Sequence, residues 1–169
     1  IQLQAEKFDR GNVIVDNERY GKDIGIISDP GSQKNFAEYD LTFKAPGLIQ
    51  LELRYAAASS RPGRILINGK VIREDAIANT TGGWLPEHQQ WHSEGLFKTT
   101  AKQFTLRIES EPMMSHIDQI RLTPLKGDSN ALEIVNAEIG KLNKQVAEKQ
   151  KAAPKPRMVM AVKDGKIQD

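Results

Sequence analysis

Apolar and polar side chains alternate along much of this chain. Ile49, Leu51, Leu53 and Tyr55 are interleaved with Gln50, Glu52 and Arg54, and Phe104, Leu106 and Ile108 with Thr105, Arg107 and Glu109. A period of two sends successive side chains to opposite faces, so each run predicts an antiparallel strand with one face in a core and one in water. Turn signals separate the runs: Asp29-Pro30-Gly31, Ala45-Pro46-Gly47, Arg61-Pro62-Gly63, and Asn68-Gly69 between Ile65-Leu66-Ile67 and Val71-Ile72. Asn-Gly between two apolar runs predicts a tight hairpin, because both central residues of a type I′ turn need positive φ. Strands are expected over 2–6, 13–15, 24–27, 35–43, 48–57, 65–67, 91–97, 103–109 and 117–122, about nine in all, with no helix-length pattern between them. An all-β sandwich is the architecture that buries such a set.

Beyond Lys126 the period changes. Leu132, Val135, Ile139, Leu142 and Val146 step by three, four, three and four residues, which is one stripe of a C-terminal amphipathic α-helix over about 130–151, with Ser129 or Asn130 as its cap. Two heptads are too few for a coiled coil, so packing on a neighbouring domain is expected ahead of self-association. Ala152-Ala153-Pro154-Lys155-Pro156 ends the helix, since proline lacks the N–H and restricts the residue before it. Met158 to Lys166 then reads as the opening strand and turn of a further domain. All five Phe, three Tyr and two Trp precede Gly127, so a ring-rich core is possible only in the first part. The expected organisation is a sandwich over 1–126, a helix and linker over 127–153, and the start of another domain over 154–169.

Charge narrows the partners. Residues 1–126 carry sixteen Lys and Arg against sixteen Asp and Glu, and 127–169 carry eight against six, so the net +2 belongs to the tail. A neutral body lacks the clustered basic face that nucleic acid requires. Zero cysteines remove disulfides, thiolate metal sites and thiol nucleophiles from this piece. No run approaches the ~18 apolar residues of a membrane span, and the first residues lack a basic region followed by an apolar one, so no membrane insertion is expected and any export signal is expected outside this segment. Both ends read as cuts from something longer.

The polar residues do not assemble an enzyme on paper. The three His residues are His88, His92 and His116, and no Gly-x-Ser-x-Gly elbow exists. His88 and His92 have helical metal spacing, but Pro86, Trp91 and Gly95 indicate a loop entering a strand, so zinc is not expected. Glu87, Glu94, Glu109 and Glu111 show no spacing that selects a catalytic pair and read as a solvated rim. Calcium is the stronger metal idea: hard oxygen ligands from separate strands can join the start of a sandwich to its end, and Gln4, Glu6 and Asp118 are placed for that. Taken singly, Glu6 and Asp118 read as ordinary exposed acids.

Read together, the words Gln4-Ala5-Glu6, Phe36-Ala37-Glu38-Tyr39, Ala45-Pro46-Gly47, Leu53-Arg54-Tyr55-Ala56, Ile67-Asn68-Gly69, Thr81-Gly82-Gly83-Trp84 and His116-Ile117-Asp118-Gln119-Ile120-Arg121-Leu122 resemble, in order and spacing, the non-catalytic carbohydrate-binding modules of families 6 and 35. The resemblance covers about 1–124. It implies a β-sandwich jelly roll, galactose-binding-like in fold, with a structural calcium ion near the chain ends. Glu6 and Asp118 would be side-chain ligands, Gln4 would take the place of a usual Glu, and backbone carbonyls over 17–23 would complete the shell. The family's sugar site holds a ring between two aromatic faces, with a polar side chain just before the final Asp. One face of a pyranose is largely C–H and suits an aromatic, while directed polar groups set specificity.

Trp84 stands at the Gly-Gly-Trp position and reads equally as a ligand platform or a packing residue. The second aromatic, expected after Gly25, is Ile26, and the polar residue two before Asp118 is His116 rather than Asn. Tyr20, or Arg61 from the Ser59-Ser60-Arg61-Pro62 loop, is the available substitute. Trp91, opening a strand, reads first as core and is the other aromatic candidate. The insertion 85–90 is positioned to cover the cleft. A second resemblance comes from the tail: a sandwich, a charged helix and then Pro156-Arg157-Met158-Val159-Met160 look like large exported multidomain proteins of environmental bacteria that carry a cytochrome-c-like region. On that reading the chain is an internal module, secreted or periplasmic, and not an enzyme. It would bind a polysaccharide or oligosaccharide and target its parent to it, or, as the alternative, act as a structural or interaction domain with a degenerate sugar site that positions neighbouring domains.

Overall fold

A computed structural model describes residues 1–18, 20–21, 24–31 and 33–125. The strands among them are β1 (Gln2–Gln4), β2 (Arg10–Gly11), β3 (Ile14–Asp16), β4 (Ile26–Ser28), β5 (Asn35–Thr42), β6 (Gly47–Ala56), β7 (Gly63–Ile67), β8 (Lys70–Ala76), β9 (Gln90–Thr99), β10 (Gln103–Ser110) and β11 (His116–Leu125), with one 3₁₀ turn at Pro86–His88. They form two antiparallel sheets. One has the order β3-β4-β11-β6-β9, with β1 also paired to β11, and the other β2-β5-β10-β7-β8.

The alternation works as expected. Ile49, Leu51, Leu53 and Tyr55 on β6 and Phe104, Leu106 and Ile108 on β10 are all buried, and they meet Tyr39, Ile65, Phe97, Ile117, Ile120 and Leu122 in one core. The Tyr39 hydroxyl donates to the Ala5 carbonyl at 2.7 Å, which satisfies the one polar atom of a buried ring. Asn68 and Gly69 sit at φ 49° and 77°, with Ile67 opposite Lys70, as the two-residue turn requires.

Two strands escape the apolar count. β8 continues the Asn-Gly hairpin through Lys70, Arg73, Glu74 and Asp75, because an edge strand needs only one neighbour and tolerates a polar surface. β2 is two residues long and pairs with β5. The expected helix and the start of a further domain lie outside the described residues. The chain divides into two units, 1–132 and 133–169, and the sandwich belongs to the first.

Two β-bulges lie on either side of β6. Opposite β11 the register passes from Ile117↔Tyr55 to Gln119↔Arg54, which leaves Asp118 as the extra residue. Opposite β9 it passes from Glu52↔Ser93 to Leu51↔Gly95, which leaves Glu94. A bulge re-aims the side chain it inserts, and both acids are buried, Asp118 at 1% and Glu94 at 5% exposure.

The five-stranded sheet carries a charge network. Glu109, buried at 3%, takes Lys34 at 3.2 Å, Arg107 at 2.7 Å and Arg64, while Glu38 holds Arg10 and Arg107, each at 2.9 Å. The expectation that Glu94 and Glu109 form a solvated rim is therefore corrected: both are buried and paired with arginine.

Candidate functional site

At one end of the six-stranded sheet, β3, β4, the start of β11 and the loop after β8 enclose a cleft of about 600 Å³. Tyr20, Trp84 and His116 line it with Ile14, Ile26 and Leu85, and Asp16, Glu18, Ser28 and Asp29 supply its polar groups. Three of the expected sugar-binding residues therefore line it, and a fourth, Arg61, reaches it by packing on Trp84. Tyr20 is buried, its phenol bonded to His116 Nδ1 and its ring edge-on to the imidazole at 5.4 Å. His116 Nδ1 also lies 3.1 Å from the Trp84 carbonyl oxygen, and the Trp84 ring is 5.0 Å from the imidazole. With the proton on Nδ1 the ring donates to the Trp84 carbonyl, and with it on Nε2 the ring accepts from the Tyr20 hydroxyl.

Trp84 is not a bare platform. The Arg61 guanidinium lies over the indole 3.9 Å from its centroid, and Arg61 Nη1 donates to Asp29 Oδ2 at 3.1 Å and to the Met114 carbonyl at 2.8 Å. Asp29 Oδ2 also accepts the Met114 N–H at 3.1 Å. The indole is half-buried and packs on the core. Burial holds the His116 pKa below its usual value, and Arg61 adds to that against Asp29 and Asp16. The Tyr20 phenol is held up, first by burial and then by Asp16, Glu87 and Asp118.

The loop bearing Trp84 is anchored along its length. Ile77, a β-branched residue at φ 51°, donates its N–H to Glu94 Oε1 at 3.1 Å, and Glu94 Oε2 pairs with Arg73 at 3.1 Å. The Asn79 N–H donates to the Tyr55 hydroxyl at 3.2 Å, and Thr81 exchanges bonds with Ala57 at 2.7 and 2.8 Å. Burial raises the Glu94 pKa, opposed by Ile77 and Arg73. In the insertion, Leu85 lines the cleft while His88 folds back on Gly82 and Gly83. His92 instead packs on Tyr55 at 4.7 Å, so the two histidines of the helical spacing have different neighbours.

Trp91 stands apart from the cleft. It pairs in register with Arg54, lies half-buried beneath the Arg121 guanidinium at 3.9 Å, and belongs neither to the core nor to the Tyr20–Trp84–His116 group.

The residues named for a metal separate similarly. Gln4 is exposed at the end of β1, opposite Gln119. Glu6 Oε2 is buried without a hydrogen-bond partner. Gly25 adjoins it so closely that a Cβ there would lie 2.5 Å from Glu6 Cδ and 2.6 Å from Asn17 Oδ1. Burial pushes the Asp118 pKa up, Arg54 at 2.5 Å opposes this, and the nearby Glu6 charge adds to the rise. An orphaned carboxylate oxygen, a neighbouring amide oxygen and a second buried carboxylate fit a hard cation. Among the described residues no group of three or more His, Cys, Asp or Glu forms a metal cluster, so the amide of Asn17 is needed to reach three side-chain oxygens.

Sequence reasoning named Asn17 only for its backbone carbonyl and missed its side chain, and it missed Asp16 and Asp29. Asp29 stood in a turn word, Asp-Pro-Gly, and only the fold reveals that it orients Arg61.

No family model matches the chain, and no curated protein does. Among solved structures, the family 35 carbohydrate-binding module from Clostridium thermocellum superimposes with a TM-score of 0.65 at 18% identity, over 74% of this chain and 98% of that one. A family 35 module solved with a disaccharide containing glucuronic acid gives 0.59 at 18% identity, over 75% and 94%. The C-terminal family 6 module of LamC, a marine laminarinase from Zobellia galactanivorans, gives 0.57 at 21% identity, over 73% and 98%. The chain has the β-sandwich fold of these modules.

Proposed function

We propose that this chain is a non-catalytic carbohydrate-binding module that takes a polysaccharide or oligosaccharide in the Tyr20–Trp84–His116 cleft. The observation that carries the reading is the cleft itself: about 600 Å³, walled by aromatic and aliphatic side chains and rimmed by a few polar ones, at the loop end of a sandwich. The hydroxyl–imidazole pair in it, Tyr20 with His116, has its phenol buried and held in the protonated form, so the reading is recognition rather than nucleophilic chemistry. In a larger exported protein, secreted or periplasmic and including a cytochrome-c-like region, it would target the parent to a glycan.

Calcium is part of the proposal. Glu6, Asn17 and Asp118 would hold the ion, which would neutralise two buried carboxylates and tie the first strand's exit to the last strand. Arg54 already neutralises part of that charge, so the affinity is expected to be modest.

The test is affinity electrophoresis on plant, algal and bacterial polysaccharides, with calcium and with a chelator. Retardation on a polysaccharide, lost in Trp84→Ala with the fold retained by circular dichroism, supports the reading. No retardation on any of them overturns it in favour of a structural or interaction domain with a degenerate sugar site. One observation favours that second reading: Arg61 covers the indole, and Tyr20 and His116 are bonded to each other.

A further inference from the structure

We propose that the cleft selects glycan units bearing a methyl group, carried either at C6 of a 6-deoxyhexose or on an acetyl substituent; this rests on the carbohydrate reading above. Ile14, Val15 and Leu85 all line the cleft and are 47%, 37% and 55% exposed, three of the seven large apolar side chains left exposed among the described residues. A single exposed apolar residue is ordinary on a protein surface, whereas three at one concave site beside a half-buried indole mark a ligand face. Ile14 stands opposite Ser28 and Asp16 opposite Ile26, which places Ile14 and Ile26 on the same face of the sheet. Ile26, itself buried, lines the cleft where the family-like words place an aromatic.

Leu85 is held in place by the insertion that carries it. Its carbonyl accepts the His88 N–H at 3.0 Å, His88 packs on Gly83, and Gln89 Nε2 donates to the His116 carbonyl at 3.1 Å, which fastens the insertion to the loop before it and to β11. Such walls sort ligands by what projects from the sugar ring. An aliphatic side chain offers a hydroxymethyl group no hydrogen-bond partner, so covering that group strips it of water without return, whereas a methyl gains by leaving water. Trp84 then takes the C–H face of the ring, and Ile14 and Leu85 meet the group that projects beyond it. Burying one methyl is worth about fourfold in affinity, and stripping a hydroxyl at the same place widens the difference.

The experiment uses the full chain and isothermal titration with two pairs of ligands, each differing in the methyl-bearing group: methyl α-L-rhamnopyranoside against methyl α-L-mannopyranoside, and an O-acetylated xylohexaose against the same hexasaccharide after deacetylation. The expected result is binding tighter by about fourfold or more for the methyl-bearing member of one pair, and the pair that responds names the source of the methyl. In the double variant Ile14→Thr, Leu85→Ser, at two exposed positions, the preference shrinks toward unity with circular dichroism unchanged, and Trp84→Ala abolishes binding of both members. Equal affinities in both pairs, or tighter binding of the hydroxyl-bearing member, overturn the selectivity and leave the carbohydrate reading standing. A preference that survives the double variant also overturns it, by removing the aliphatic side chains as its cause. If no member binds, the polysaccharide panel separates the two readings: a retained polysaccharide overturns this selectivity alone, and none retained overturns both.

Discussion

Replacing Glu94 by alanine tests how the Trp84 loop is held. Glu94 is the residue that the β9 bulge turns inward, and its carboxylate accepts the N–H of Ile77 and pairs with Arg73, each at 3.1 Å. Ile77 is fully buried, so without Glu94 its N–H loses its partner and has no water to replace it. Such a group costs about 1–3 kcal/mol. Arg73 adds little, because its side chain is one-third exposed and regains solvent. The left-handed backbone at Ile77 carries a further strain of about 1–2 kcal/mol, which the loop sheds if it rearranges, so the measured loss is capped near the upper figure. For a sandwich of this size, a loss of about 1–3 kcal/mol lowers the melting temperature by about 4–12 °C. Asp75 is the control: it lies 3.4 Å from the same Arg73 but is largely exposed, so Asp75→Ala changes stability by less than about 0.5 kcal/mol. Glu94→Gln keeps an acceptor for Ile77 and falls between the two. Melting is followed by circular dichroism, and Trp84 emission is read in a Trp91→Phe background, where loosening of the loop exposes the indole and shifts emission to the red. A Glu94→Ala protein that melts no lower than Asp75→Ala, with unshifted emission, refutes the reasoning.

Acid should destabilise the sandwich through its outer charge network. Glu38 is held below its usual pKa by Arg107 and Arg10, Asp40 is held at about 2 by Arg10 and Thr105, and Glu109, although burial opposes it, is lowered by Arg107 and Lys34. Groups shifted down stabilise the fold above their ordinary pKa and lose that contribution as pH falls through the lowered one, so melting temperature drops below about pH 4.5, and less steeply in Arg107→Gln. Glu94 and Asp118, shifted up, act in the opposite direction between their ordinary and raised values, and their contribution fades as pH rises. Calcium at millimolar concentration should raise the melting temperature by a few degrees, an effect abolished by Glu6→Gln and by Gly25→Ala, whose methyl would enter the Glu6–Asn17 contact; equal melting with calcium and with chelator removes the ion from the proposal.

The strands were legible because a half-buried sheet imposes a period of two, and the Asn68-Gly69 turn because its geometry restricts the residues that fit. The buried acids were not, for the same reason. Through 91–97 a strict period misplaces Glu94, since the bulge adds one residue and changes which parity faces inward. The signal was present at β11, where Ile117 and Ile120 are three apart instead of two, and the family-like word around Asp118 supplied what periodicity could not. Trp91 shows the limit from the other side: opening a strand does not say which face it occupies, and it lies under Arg121 on the outer face. The stacking of Arg61 on Trp84 joins two loops that no periodicity connects, and Arg61 was named for the cleft only through the family-like words.

The cleft residues form one connected path. Tyr20 bonds His116, His116 bonds the Trp84 backbone and tilts against its ring, Arg61 covers that ring, and Asp29 holds Arg61 and the Met114 backbone. The path ties the loop before β4, the loop between β6 and β7, the loop between β8 and β9, and the start of β11 into one wall. A wall whose polar groups satisfy one another loses little side-chain entropy when a ligand arrives, which favours rigid recognition over induced closure. It also means that aromatic faces a bare sandwich of rings would offer to a sugar are partly occupied by protein. On the proposed reading, recognition would then fall to other lining groups such as Glu18 and Ser28 and to the aliphatic lip of Ile14 and Leu85. Substitution at Asp29 is accordingly expected to act through Arg61 and Trp84 together, and its effect on binding will not separate from theirs by single variants; a double-mutant cycle of Asp29 with Arg61 isolates the coupling.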